Sequence, residues 1–84
     1  MKINMDKEQI KKQLKNIASV VFEIEESSIN ENLTAGAIET WDSLGHLKFF
    51  LTIENHFNVK FSTDEIIHST SLTEIIDKVT EKLL

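Results

Sequence analysis

No proline interrupts these 84 residues, and glycine occurs only at Gly36 and Gly45. A chain punctuated so sparsely carries neither hairpin turns nor flexible linkers, so side-chain pattern alone sets where its helices run. Ile10, Leu14, Ile17, Ala18 and Val21 recur at spacings of three and four. They predict an amphipathic helix over about 6–22, with Asp6 as N-cap and Gln9 three residues on. Leu72, Ile75, Ile76, Val79 and Leu83 repeat the pattern behind Ser71-Leu72-Thr73-Glu74, which has capping-box spacing. Between them, Leu44 to Phe57 reads as a helix, and Asp64 to His68 as a short one after the extended Val59-Lys60-Phe61. Residues 23–42 form a long connection whose apolar anchors are Ile24, Ile29, Leu33, Ile38 and Trp41. Connections of that length in small domains are functional or disordered, and the regular anchors predict a loop pinned across the bundle. The expected fold is all-α: a small bundle of three long helices plus one short helix with a long first loop, residues 1–84 forming one domain.

A core of this size is filled by its own side chains, which disfavours a self-sufficient enzyme. The absence of cysteine removes disulfides, thiolate nucleophiles and Cys-based zinc sites. The net charge is −5, from 14 acids against 9 lysines with no arginine, and no basic stripe of the kind nucleic-acid binders carry is present. Charge is unevenly spread: residues 1–15 carry +3, residues 16–47 carry −6 and residues 48–84 carry −2. The acidic stretch leads into Trp41-Asp42-Ser43-Leu44 and would attract basic partners. No stretch resembles a signal peptide or approaches the roughly 18 apolar residues of a membrane span. The expected setting is therefore cytoplasmic, with no membrane insertion and no nucleic acid. His46, His56 and His68 show no metal-ligand spacing, and the acids lack the arrangement of a calcium loop, so no metal site is expected.

Ser43 lies where the long loop meets the second major helix. By residue type alone, a serine there reads first as an N-cap. As a nucleophile it lacks the first glycine of a G-x-S-x-G elbow, and no residue is assigned a catalytic role. A helix N-terminus does suit a phosphate ester, because free N–H groups and the macrodipole stabilise the anion.

The order of elements, with Trp41-Asp42-Ser43-Leu44-Gly45-His46-Leu47 and then Ile53-Glu54-Asn55-His56-Phe57-Asn58-Val59-Lys60-Phe61-Ser62, resembles the acyl carrier protein family, the stand-alone carriers in particular. The resemblance implies that 4′-phosphopantetheine from coenzyme A is attached to Ser43 by a separate phosphopantetheinyl transferase. It implies a monomeric carrier domain that holds an acyl or aminoacyl thioester for loading and acyl-using enzymes, and that is not itself an enzyme. Fatty-acid carriers place acids along the helix after the serine; here Gly45 and Lys48 follow, and Glu54 is the one carboxylate before Phe57. A dedicated carrier of a specialised biosynthetic pathway fits better. The competing reading is an unmodified helical protein–protein interaction module in which Ser43 only caps.

At 100° per residue the second helix places Phe49, Phe50, Ile53 and Phe57 on one side, and Leu44, Leu47 and Leu51 on another. One apolar face suffices for a core, so the leucines are expected to lie exposed beside Ser43, flanked by Lys48 and Asn55; the family resemblance implies that Leu44, Leu47 and Leu51, with Asp42 and Lys48, contact the partner enzymes. Alternatively, the long loop covers them through Ile38 and Trp41. The five phenylalanines suggest a filled interior.

Overall fold

The computed structural model describes residues 5–84. Its helices are α1 (Lys7–Phe22), α2 (Ser43–Phe57), α3 (Thr63–His68) and α4 (Leu72–Leu83), with a single 3-10 turn at Glu26–Ser28 inside the connection from α1 to α2. Each helix is started by a side chain that accepts one of the N–H groups left unpaired in a first turn. Asp6, Ser62 and Ser71 form reciprocal capping boxes with Gln9, Glu65 and Glu74. Asp42 caps α2 by accepting the Gly45 N–H. Both long leading helices end on a left-handed residue, Glu23 (φ 56°) and Asn58 (φ 57°). In each case one carbonyl, of Ser19 or Glu54, takes two successive N–H groups.

The expected all-α bundle is the fold that forms, and among the described residues the only extended pairing is an isolated bridge between Thr34 and Ser71. The core is built on aromatic residues. Phe22 stacks on Trp41 with ring centroids 4.8 Å apart, Phe49 meets both rings edge-on, and Phe50 packs edge-on to Phe61. Ile10, Leu14 and Ile17 of α1 and Leu72, Ile75, Ile76 and Val79 of α4 complete it. Burying one such side chain stabilises by about 1.5–3 kcal/mol, so this layer holds the domain together. Val21, expected in the α1 stripe, is only partly buried; Phe22 takes that position because it lies one turn beyond Ala18 and faces Trp41.

The long connection is pinned as its anchors suggested, although its main restraint is backbone pairing that side-chain pattern does not reveal. The open N–H groups of Leu72 and Thr73, in the first turn of α4, bond to the carbonyls of Leu33 and Glu31. Ala35 N–H bonds to Thr70 O, and Thr73 Oγ1 donates to Glu31 O. Lys11 adds a tether from α1 by pairing with Glu31 and Glu8, and these two carboxylates, Glu31 foremost, raise its pKa. The loop thus supplies the acceptors that cap α4 and delivers Trp41 to the start of α2. Among the described residues no helix is long and apolar enough to cross a membrane.

Candidate functional site

The first turn of α2 is shaped by two residues that flank Ser43. Asp42, in extended backbone conformation, accepts the Gly45 N–H at 2.8 Å, and its carbonyl takes His46 N–H. Gly45 is buried, and a Cβ there would run into the backbone carbonyl of Thr40. Only a residue without a side chain lets the incoming loop lie this close against the helix.

Ser43 is therefore the first helical residue, and the cap is Asp42, contrary to the plainest reading of a serine at this place. The physical reason is register: a cap must stand outside the helix and reach back to the third N–H, which from Asp42 is that of Gly45. Relieved of capping, the Ser43 side chain is exposed, and among the described residues no side chain or backbone group hydrogen-bonds its hydroxyl. The N–H groups of Ser43 and Leu44 have no partner within the helix, so they remain available beside that hydroxyl. Free N–H groups at a helix N-terminus suit an anion.

The leucine stripe is exposed. Leu44, Leu47 and Leu51 are 62%, 45% and 50% accessible, whereas Phe49, Phe50 and Ile53 on the opposite side are completely buried. The loop does not cover the leucines, because Trp41 is drawn wholly into the aromatic core and Ile38 packs against that core as well. Lys48 is exposed on the same helix. Beside Leu44 lies a shallow hollow bordered by Glu23, Glu39 and Asp42, with Lys48 at its edge.

On the other side of Ser43 an open cleft of about 580 Å³ runs between the loop and α3, with Trp41, His46 and Leu47 along its base and Ile66 and Ile67 on the far wall. Ile67 is 58% exposed. Helix α3 buries none of its side chains fully; Ile66 packs against the core, and polar ties add to that contact. Glu65 accepts the Ser62 N–H and meets Lys82 at 3.2 Å; the Ser62 N–H, with Lys82 adding to it, holds the Glu65 carboxyl below its ordinary pKa. The third tie is His46, which receives the Trp41 indole N–H on Nδ1 at 2.9 Å and lies 2.6 Å from the Ile66 carbonyl through Nε2.

Asp42, Ser43, Leu44, Leu47, Lys48 and Leu51 are all exposed along α2 and its cap. Gly45, His46 and the Ile66–Ile67 wall were not assigned to the site from sequence. Trp41-x-x-x-x-His46 was the available signal for the histidine, since a buried indole needs an acceptor. Among the described residues no three His, Asp or Glu side chains gather to hold a metal ion. No protein-family model matches the chain, and no curated protein matches it.

Proposed function

We propose that this chain is an acyl or aminoacyl carrier that bears 4′-phosphopantetheine on Ser43 and serves partner enzymes in trans. The observation that carries this reading is the division of labour at α2: Asp42 caps the helix, leaving Ser43 exposed, unbonded and next to free N–H groups. The Ser43 and Leu44 N–H groups would hold the phosphate, and the helix dipole would stabilise its charge. When bound, the arm supplies the thiol that the cysteine-free chain lacks, and so the means to hold cargo as a thioester.

The phosphopantetheinyl transferase and the loading and acyl-using enzymes dock, in this reading, on Leu44, Leu47 and Leu51, with Asp42 and Lys48 at the border. The acids near this face stand on the α1 terminus and the loop (Glu23, Glu39 and Asp42), while α2 itself presents Lys48. That arrangement favours a dedicated carrier of a specialised pathway, working as a monomer in the cytoplasm. The exposed leucine stripe would equally serve an unmodified interaction module. Intact-mass measurement after incubation with coenzyme A and a broad-specificity transferase separates the two. The carrier reading expects one added phosphopantetheine on the native chain and none on Ser43→Ala; an unchanged native mass, or a modified Ser43→Ala chain, would overturn it.

A further inference from the structure

His46 is bound at both ring nitrogens, and its partners fix its proton. Trp41 Nε1 is only a donor, so Nδ1 must be the acceptor; the Ile66 carbonyl is only an acceptor, so Nε2 carries the hydrogen. The bridge exists for one species alone, the neutral ring protonated at Nε2.

Each end of the bridge satisfies a group that has no substitute. Trp41 is completely buried, and its indole N–H has His46 as its acceptor. The Ile66 carbonyl lies in the last turn of α3, where the N–H that would have closed the helix, that of Thr70, bonds instead to Glu74. His46 joins three elements: the loop through Trp41, α2 through its own backbone, and α3 through Ile66. Its ring also lies against the core, stacked near Trp41 and edge-on to Phe50 at 5.0 Å.

From this geometry we infer that His46 is a positioning residue and a proton-operated latch for the cleft beside Ser43. Neutral, it clamps both walls onto α2. A second proton, taken up from solvent at Nδ1, points N–H at N–H and breaks the tie between α2 and the Trp41 indole, while the bond from Nε2–H to Ile66 O persists.

The charged groups around it are few. Glu39 and Asp42 come from the loop; Asp42 lines the same cleft, and Glu39 lies on the other side of the helix start with Lys48 of α2. From α3, Asp64, Glu65 and His68 border a separate hollow toward α4. None of these groups bonds to the ring, so the clash with Trp41 is the local event that protonation sets off.

The latch does not depend on what Ser43 carries, and its test reads the unmodified chain. Isotope-labelled protein is titrated from pH 8 to pH 5 while NMR follows the three histidine rings and the Trp41 indole N–H. The Trp41 signal is expected to move in one step with the midpoint of His46, with helical circular dichroism unchanged. His46→Gln, which offers an acceptor and a donor but no titratable proton, should keep the neutral-pH Trp41 signal and abolish the step. His46→Ala should show an unbonded Trp41 indole at every pH. A Trp41 signal that stays still as His46 takes up its proton, follows His56 or His68 instead, or still steps in His46→Gln would overturn the inference. Unfolding before His46 titrates would do the same, and the native titration decides the matter even where a variant fails to fold.

Discussion

Asp42, Ser43 and Gly45 share one helical turn and do three different things: Asp42 closes it, Gly45 lets the loop approach it, and Ser43 is left free. Substituting them should separate these roles. Asp42→Ala removes the cap and should cost about 0.5–2 kcal/mol in a denaturant melt. Ser43→Ala leaves every described hydrogen bond in place and should change stability by no more than about 0.5 kcal/mol. Gly45→Ala drives a methyl group into the Thr40 carbonyl, which is backbone and has no rotamer to yield. It should lower the melting temperature and shift Trp41 emission as the loop lifts from the core. The Asp-Ser-Leu triplet was legible in the sequence, but which of its first two residues caps was not, because both residue types cap well and one residue of register decides. The need for Gly45 was hidden for another reason: the carbonyl it accommodates belongs to a loop whose path is set by pairing with α4.

The helices were readable to within a residue because of their apolar spacing, with which the D-x-x-Q and S-x-x-E starts of α1 and α4 agree. The Ser62-Thr63-Asp64-Glu65 capping box starts α3 at Thr63, one residue before the expected Asp64. The two apolar faces of α2 divide into buried and exposed as their spacing predicts, since a helix in so small a domain has neighbours on one side only. Leu47→Ala and Leu51→Ala should therefore alter stability by about 0.5 kcal/mol or less while slowing loading by partner enzymes. Phe49→Ala, on the buried face, should cost about 3–5 kcal/mol. The 3-10 turn and the loop's bonds to α4 leave no periodic trace and could not be read. Helix α3 has no fully buried side chain, so polar ties add to the packing of Ile66, and Glu65 gives their contribution a direction. Its folded pKa is lowered, so its contribution is complete above the unfolded value of about 4.3 and is lost as pH falls through the lower folded value. Acid titration of the melting temperature should show this loss on the low-pH limb, and Glu65→Gln should flatten it.

At the scale of the whole molecule, charge is sorted along the chain: lysines gather in the segment leading through α1, and acids in the segment from the end of α1 to Ser43. Folding brings Glu23, Glu39 and Asp42 to one hollow beside Leu44, so the approach to Ser43 is acidic although the helix after it is not. Partners with basic borders should associate faster at low salt, and Glu39→Lys should reduce that dependence without altering the fold. The interior is as full as the five phenylalanines suggested: Phe22, Phe49, Phe50, Phe57 and Phe61 are all buried. The cleft between loop and α3 is announced by no single segment, because its walls come from the loop, the start of α2 and the segment Ile66 to Thr70. The claim on which the functional account rests is that Ser43 carries the arm. The direct measurement is peptide-level mass spectrometry of the chain co-expressed with a phosphopantetheinyl transferase. Phosphopantetheine is expected on the peptide containing Trp41-Asp42-Ser43-Leu44, localised to Ser43; an arm found on Ser27, Ser28 or another serine, or an unmodified Ser43 peptide alone, would contradict that claim.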